Sequence, residues 1–413
     1  AVGAIQDENL ASNSSEGAIY ILFMNNSNGT IKSNLKISDG LNGFNPSGMD
    51  SDEDFGISIT SIGDLDGDGI IDLAVGAHSD ENLASNTSEG AIYILFLNST
   101  GGVKTNTKIS DSLAGFNPSG LDSSDNFGSS ITSIGDLDGD GIVDLAVGAI
   151  NDENNNDGAV NTGAVYILFL NDTNGTVKRN TKITNNSVGF FPKLSNGTGH
   201  QFGRSITSIG DLNGDGIVDL AVGAINDGNL EDNEGALYIL FLNDTNGTVK
   251  RNTKISDGLA GFNRTELSTD DIFGYSVSSV GDLDGDGIID LAVGAAQDEN
   301  FSSSNNNGVL YILFLNDTNG TIKNSTRIAS TISGFNPSEL ENFDIFGYSV
   351  SSIGDLDRDG IRDLAVGAIQ DENLASNSSE GAIYILNLNF VPAPDTTVPD
   401  ISITSPANKT NSS

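Results

Sequence analysis

Short stretches of alternating apolar and polar residues, separated by turn-forming residues, run along most of the chain. Residues 57–60 and 72–75 alternate apolar and polar positions, and Ala91–Leu97 is a continuous run of aliphatic and aromatic residues. A shorter candidate covers residues 108–110. Such patterns predict strands, and the Gly, Asn and Asp residues between them predict turns. The chain is therefore predicted to be all-β.

This pattern recurs through the sequence. The pair Phe-Gly begins at Phe55, Phe127, Phe202, Phe273 and Phe346, with spacings of 72, 75, 71 and 73 residues. An acidic loop and the triplet Val-Gly-Ala follow each pair, and a sixth triplet occupies residues 2–4. About four strands per unit, repeated radially, predict a β-propeller of six or seven blades, with a β-solenoid as the alternative.

The repeats divide the chain into a propeller region and a tail. The propeller is predicted over residues 1–390, with a partial unit at 1–54 and units beginning at 55, 127, 202, 273 and 346. Residues 1–22 are identical to residues 365–386, which places the opening stretch in the second half of a unit. Residues 391–413 contain four of the eight prolines and predict a linker or the start of a following immunoglobulin-like β domain.

The charge balance narrows the possible partners. With 57 acidic and 18 basic residues, the net charge is −39, which argues against nucleic acid and anionic membrane surfaces and favours cations. The absence of cysteine excludes disulfides, thiolate metal sites and thiol catalysis. The apolar runs are too short to span a bilayer, so no direct membrane insertion is expected in this segment.

Five acidic loops share one pattern, which in the first loop is Asp-Leu-Asp-Gly-Asp-Gly-Ile-Ile-Asp. Carboxylates or an amide at loop positions 1, 3, 5 and 9, with a main-chain carbonyl at position 7, supply the oxygen ligands that calcium prefers. The predicted ligands are Asp64, Asp66, Asp68, Ile70 and Asp72; Asp136, Asp138, Asp140, Ile142 and Asp144; Asp211, Asn213, Asp215, Ile217 and Asp219; Asp282, Asp284, Asp286, Ile288 and Asp290; and Asp355, Asp357, Asp359, Ile361 and Asp363.

The alternative is a set of solvated turns in which Asp and Gly only favour tight bends. Crowding three or four carboxylates in each of five loops is repulsive without a cation, so calcium binding, with about five ions, is preferred. Arg358 and Arg362 in the fifth loop are expected to weaken its affinity if they approach the ion.

Phe-Gly, the acidic loop and Val-Gly-Ala, in that order, resemble the FG-GAP repeat found in the propeller of integrin α subunits. The resemblance covers roughly residues 1–390. It implies a propeller with calcium held in hairpin loops on one face and ligands or partner subunits on the other. The units here are longer than is usual for that family, which typically closes at seven blades, whereas these units indicate about six if the two ends complete one another.

Nineteen Asn-x-Ser/Thr sequons allow N-glycosylation, with chance occurrence in an Asn-, Ser- and Thr-rich chain as the alternative. The pairs considered as acceptors are Asn171 and Asn174, Asn243 and Asn246, and Asn316 and Asn319.

Other polar residues are given structural interpretations. The acidic element after each Val-Gly-Ala, such as residues 80–82, is interpreted as a turn with solvated carboxylates rather than a second cation rim. His78 and His200 are unrepeated and are expected to be exposed loop residues. Because no nucleophile motif or His-based zinc site occurs, the protein is not expected to be an enzyme.

The function predicted is therefore a calcium-binding, extracellular or cell-surface propeller acting in adhesion or ligand binding, with a protein or glycan ligand. One alternative is a structural subunit that assembles with copies of itself into a surface layer or filament. A propeller-based carbohydrate-active enzyme with a carboxylate pair is a further alternative.

Overall fold

The computed structural model describes residues 1–7, 16–25, 30–46, 49, 52–81, 88–118, 120–152, 161–171, 174–185, 187–190, 199–228, 233–243, 246–262, 267–298, 307–316, 319–329, 340, 343–371, 381–391 and 400–403. These residues form strands and turns without a helix. Within this part of the chain there is accordingly no helix long and apolar enough to cross a membrane.

The strands form successive sheets in which neighbours in the chain are neighbours in the sheet. The sheets are β1 (Val2–Ala4), β2 (Ala18–Met24) and β3 (Ile31–Ile37); β4 (Ile59–Ser61), β5 (Leu73–Ala77), β6 (Ala91–Leu97) and β7 (Val103–Ile109); β8 (Phe127–Gly135), β9 (Asp144–Ala149), β10 (Ala164–Leu170) and β11 (Val177–Ile183); β12 (Phe202–Ser208), β13 (Leu220–Ala224), β14 (Ala236–Leu242) and β15 (Val249–Ile255); β16 (Phe273–Gly281), β17 (Asp290–Ala295), β18 (Val309–Leu315) and β19 (Ile322–Ile328); β20 (Phe346–Gly354), β21 (Asp363–Ala368) and β22 (Ala382–Leu386); and β23 (Leu388–Val391) with β24 (Asp400–Ile403).

The register of the β8–β11 sheet shows how each complete sheet is built. All three strand pairs are antiparallel, with Ala149 of β9 opposite both Phe127 of β8 and Ala164 of β10. The register shifts twice along the β8–β9 pair, before Ser130 and before Gly135. The connection between the first and second strands is the acidic loop, so the meander places that loop at one end of the sheet.

The third strand of each complete sheet is its most buried element. All seven residues of β6, β10, β14 and β18 are buried, on both sides of the strand. This explains why the sequence shows a continuous apolar run there and alternation elsewhere, because a strand covered on both faces has no solvent side. The fourth strands alternate more, with polar residues between buried ends.

The glycines of Val-Gly-Ala and Phe-Gly allow consecutive repeats to approach closely. A Cβ atom on Gly148 would lie 2.1 Å from the carbonyl oxygen of Gly203, which begins the next repeat. The hydroxyl of Ser130 donates to the same carbonyl at 2.7 Å. A side chain at Gly148 would therefore push two backbones apart.

The phenylalanine of Phe-Gly forms an aromatic cluster. The Phe127 ring stacks on Phe116 with centroids 4.7 Å apart and meets the edge of Tyr166 at 5.7 Å. All three side chains are fully buried. The equivalent rings Phe44, Phe55 and Tyr93 repeat this arrangement, so Tyr93 and Tyr166 of the third strands belong to the core.

The described chain comprises two compact units. The first contains Ala1–Phe23, Ile31–Ser208 and Phe241–Arg251, and its core includes buried residues of β6, β8, β9 and β10. The second contains Met24–Thr30, Ile209–Leu240 and Asn252–Ser413, and its core includes buried residues of β18, β20, β21 and β22.

The tail contains the strand β24 among its described residues. It pairs antiparallel with β23, with Leu388 opposite Ile403. A linker or a following domain over residues 391–413 stays a prediction, and residues 392–399 and 404–413 lie outside the described residues.

Candidate metal centres

The five acidic loops have the same place in five sheets. Each follows the first strand and ends where the second strand begins, as with Asp136 after β8 and Asp144 at the start of β9. Their common geometry can therefore be compared position by position.

The carboxylate at loop position 1 is fixed by the loop's own backbone. Asp64 accepts hydrogen bonds from the N–H of Asp68 at 2.9 Å and of Gly69 at 2.7 Å. The same pair of bonds holds Asp136, Asp211, Asp282 and Asp355, at 2.7 to 3.1 Å. These bonds wrap the loop around one carboxylate and orient it before any ligand binds.

The carboxylate at position 9 connects the loop to the third strand. Asp144 is fully buried and accepts from the N–H of Leu137 at 2.9 Å and of Leu170 at 3.1 Å. Asp72, Asp290 and Asp363 make the equivalent pair of bonds. Burial raises the pKa of Asp144 to about 6 and that of Asp290 to about 7. The backbone hydrogen bonds to these carboxylates lower their pKa, but burial has the larger effect.

Carboxylate oxygens converge in four of the loops. Each group has three oxygens, from three residues, within 4.8 Å of one another. The groups are Asp64, Asp66 and Asp72; Asp136, Asp138 and Asp144; Asp282, Asp284 and Asp290; and Asp355, Asp357 and Asp359. The structure thus brings together positions 1, 3 and 9 in three loops, and positions 1, 3 and 5 in the fifth.

The third loop differs because position 3 is an amide. The Asn213 side chain donates from Nδ2 to Asp219 Oδ2 at 3.3 Å. Its amide oxygen keeps an acceptor for a cation, but the loop has one negative charge less than its neighbours.

Two buried oxygens test whether these loops suit a cation. Oδ1 of Asp138 and Oδ1 of Asp284, both at position 3, are buried and have no hydrogen-bond partner among the described residues. A buried carboxylate oxygen without a partner is costly, and a hard cation bound by oxygen ligands would satisfy it. The residues present therefore fit calcium.

The position 5 carboxylates each accept a hydrogen bond within the loop, from the N–H of the residue at position 7. In the first loop, Asp68 Oδ1 accepts from the N–H of Ile70 at 2.8 Å. The same bond joins Asp140 to Ile142, Asp215 to Ile217, Asp286 to Ile288 and Asp359 to Ile361, at 2.8 to 3.0 Å. Coordination by these carboxylates, and by the carbonyls at position 7, stays a prediction.

Sequence reasoning missed the lysines Lys104, Lys178 and Lys323, which contact the acidic loops of their sheets. Lys104 of β7 lies 2.6 Å from Asp66 Oδ2 and also contacts Asp68. Lys178 of β11 contacts Asp138 and Asp140, and Lys323 of β19 contacts Asp284 and Asp286. The hydrogen bond from Lys104 lowers the pKa of Asp68 below its usual value. The regular spacing of lysine in these strands was the available signal.

The aspartate that begins the acidic element after Val-Gly-Ala is buried in five repeats, which corrects the interpretation above of this carboxylate as solvated. Asp152 is 1% exposed, accepts from the Tyr166 hydroxyl at 2.6 Å and lies 2.6 Å from Lys182 Nζ. Equivalent networks are Tyr93, Asp80 and Lys108; Tyr238, Asp227 and Lys254; and Tyr311, Asp298 and Arg327. The hydrogen bond from the tyrosine and the ion pair with the lysine hold this carboxylate within the sheet, so it stabilises the repeat.

The expectation that both histidines are exposed was also wrong. His200 is 2% exposed. His78 is partly buried, and its Nε2 lies 3.0 Å from Asp54 Oδ2. His78 follows Val-Gly-Ala, and Asn126 and Ser129 at the start of the next repeat contact it, which accounts for its partial burial.

The paired sequons lie in the turns before the fourth strands. Asn171, Asn243 and Asn316 donate from Nδ2 to the hydroxyls of Thr176, Thr248 and Thr321 at 2.7 to 2.9 Å. Asn174, Asn246 and Asn319 are exposed, and their side-chain oxygens accept from the same threonines. Glycosylation of either set stays a prediction.

Six repeated sheets of meandering strands, with an acidic loop between the first and second strands of five of them, define a β-propeller. The fold class predicted from the sequence is thus confirmed.

Comparison with known proteins gives the family. Residues 55–95, 127–168, 202–240, 273–313 and 346–386 each match the FG-GAP repeat. The chain is an FG-GAP-repeat β-propeller of the integrin α type, as the resemblance predicted.

Curated relatives include three integrin α chains. Integrin alpha-PS2 of Drosophila melanogaster is 35% identical over 187 residues, covering 44% of this chain and 12% of the relative. Integrin alpha-11 of Homo sapiens is 38% identical over 176 residues, covering 41% of this chain and 12% of the relative. Integrin alpha-5 of Xenopus laevis is 30% identical over 246 residues, covering 59% of this chain and 20% of the relative. The chain thus spans at most about one-fifth of the length of these relatives.

Proposed function

We propose that this propeller is a calcium-binding, extracellular module that acts in adhesion or ligand binding and has no enzymatic role. The convergence of three carboxylate oxygens within 4.8 Å in four loops, with unpartnered position 3 oxygens in two of them, is the observation that carries the calcium assignment. The FG-GAP repeats and the integrin α relatives support the adhesion assignment.

The ligand set proposed for each ion is the one predicted from the sequence. Position 1 presents a carboxylate already oriented by two backbone N–H groups, and position 3 supplies an oxygen directed into the cluster. Position 9 joins the cluster to the third strand through its second oxygen. When bound, calcium supplies the positive charge that offsets repulsion among these carboxylates.

The proposed location follows from the strength of such sites. Short, partly exposed loops with a mixture of carboxylate and carbonyl ligands are typical of weak to moderate affinity, and extracellular calcium is abundant enough to fill them. Five ions would change the formal charge of −39 to about −29 and reduce self-repulsion.

Calorimetric titration with calcium chloride, combined with thermal unfolding, tests the metal assignment. We expect about five ions per chain and a melting temperature that falls on chelation with EGTA. Magnesium chloride is the control cation, because the smaller ion requires octahedral geometry and retains its waters. Absence of calcium binding, together with an unchanged melting temperature, would overturn the assignment.

The solution mass in millimolar calcium tests the role. A binding module is expected to have a mass near one chain, 42.8 kDa without glycans. A mass of many chains would contradict that role and favour the self-assembling structural subunit considered above.

A further inference from the structure

Basic residues are scarce in this chain, and most of them recur at two places in the fourth strands. Ten of the 18 Lys and Arg residues occupy the second and sixth positions of β3, β7, β11, β15 and β19. The second positions are Lys32, Lys104, Lys178, Lys250 and Lys323. The residues at the sixth positions of β7, β11, β15 and β19 bind the buried carboxylate after Val-Gly-Ala, which leaves the role of the second position to be explained.

The second-position lysine binds one side of the acidic loop. Lys323 Nζ lies 2.8 Å from Asp284 Oδ2 and also contacts Asp286 Oδ2. Lys178 makes the equivalent contacts with Asp138 and Asp140. In both loops Oδ1 of the position 3 carboxylate stays unpartnered among the described residues. The ammonium thus contacts Oδ2 of the position 3 and position 5 carboxylates and not Oδ1 of position 3.

The same contact separates position 5 from the converging carboxylates. In the first, second and fourth loops, where Lys104, Lys178 and Lys323 make this contact, the group of three oxygens consists of positions 1, 3 and 9. In the fifth loop no such contact occurs among the described residues, and there position 5, Asp359, joins positions 1 and 3. The lysine and the position 5 carboxylate therefore form a pair outside the cluster.

We propose that Lys104, Lys178 and Lys323 are built-in counter-cations that hold the loops in the absence of metal and compete with calcium for the position 5 carboxylate. This inference rests on the proposed calcium function. The loop carries three or four negative charges at short range, and a tethered ammonium is available to it at every calcium concentration. Calcium binding through position 5 requires that carboxylate to leave its lysine, so the lysine lowers calcium affinity and reduces the dependence of folding on calcium.

The test is the triple variant K104M, K178M and K323M, because Met keeps much of the apolar stem and removes the charge. Calorimetric titration with calcium chloride is expected to show about 2- to 5-fold tighter binding at the affected loops, the range expected for losing a partly exposed ion pair. In EGTA the variant is expected to melt at a lower temperature than the wild type. The increase in melting temperature on adding calcium is therefore expected to be larger in the variant.

Lys32 offers a matched control. It has the same strand position in β3, is exposed, and belongs to a unit without an acidic loop. K32M removes the same charge from the same kind of strand, so it is expected to leave both calcium affinity and the melting temperature in EGTA unchanged.

The outcomes separate this inference from the proposed function. A wild type that binds no calcium overturns the calcium function itself. A wild type that binds calcium, with a triple variant whose affinity is unchanged or weaker, overturns the competition by lysine. Unchanged melting of the triple variant in EGTA overturns the stabilising role of the lysines in the metal-free protein.

Discussion

The fourth and fifth acidic loops, residues 282–290 and 355–363, have nearly the same sequence but different surroundings. In the fourth loop, Lys323 of β19 contacts positions 3 and 5, and Asp284 is 11% exposed. The sheet containing the fifth loop has three strands, and Asp355, Asp357 and Asp359 are all exposed. One motif thus yields a covered, charge-neutralised loop in one place and an open one in the other.

The two loops also differ at position 4, where the fourth has Gly285 and the fifth has Arg358. Both have a positive φ, 78° and 68°. Glycine adopts this conformation without strain, whereas a residue with a Cβ atom does so at a cost of about 1 kcal/mol. The comparison shows that the motif alone does not determine how stable or how accessible a loop is.

The largest effect is expected from removing the buried carboxylate at position 9. Asp290→Ala leaves the N–H groups of Leu283 and Leu315 without an acceptor, and we expect a loss of about 3 kcal/mol. Asp363→Ala is expected to cost about half as much, because Leu356 is partly exposed and water can replace the acceptor. Urea unfolding of both variants measures this, and equal losses would remove the distinction between the loops.

The pH dependence of stability provides a second test. Burial raises the folded-state pKa of Asp290 to about 7, above its value in the unfolded chain. The folded state therefore binds more protons between about pH 4 and 7, and stability falls as the pH rises through that interval.

In metal-free buffer, the stability of Asp290→Asn relative to wild type is expected to increase by about 2 kcal/mol between pH 5 and pH 8. Asp363, whose pKa burial raises as well, provides the matched variant Asp363→Asn in the open loop. A flat difference for Asp290→Asn across this range would show that the carboxylate is charged throughout.

Exchanging the residues at position 4 provides a smaller, reciprocal test. Arg358→Gly is expected to stabilise the chain by about 1 kcal/mol, and Gly285→Arg to destabilise it by a similar amount. No atom lies within 4 Å of a Cβ placed on Gly285, so the expected cost comes from backbone conformation rather than a clash. Thermal unfolding in EGTA measures the change in stability of the two single variants and of the double exchange. Effects of the same sign in the two single variants would contradict the conformational explanation.

The smallest effect is expected at position 8, where the fourth loop has Ile289 and the fifth has Arg362. A Cβ on Gly281 would lie 3.3 Å from Arg362 Cδ, so this side chain covers the start of the fourth loop. Arg362→Ile is expected to change stability by less than about 0.5 kcal/mol. This variant is expected to bind calcium more tightly at the fifth loop. Calorimetric titration measures that affinity, and weaker binding would contradict the expectation.

The sequence predicted much of this architecture because the repeats present each signal five times. The apolar run at Ala91–Leu97 predicted a strand, and the structure shows that strand buried along its whole length. The acidic loops were recognised from the spacing of Asp136, Asp138, Asp140 and Asp144, whose spatial convergence the structure shows for three of them.

Contacts between residues distant in sequence were not predictable in the same way. Asp152 looked like a solvated turn residue because its partners, Tyr166 and Lys182, lie 14 and 30 positions further along the chain. The pairing of Lys178 with Asp140 was likewise missed because 38 residues separate them.

The sequence by itself therefore determined the repeat period, the strands, the turn residues and the acidic loops, all of which depend on side-chain alternation and local backbone preference. Only the tertiary structure decided which carboxylates are buried, which are neutralised by lysine and which stay open to solvent. Those properties depend on how the fourth strand covers the loop and on desolvation, which no local pattern encodes.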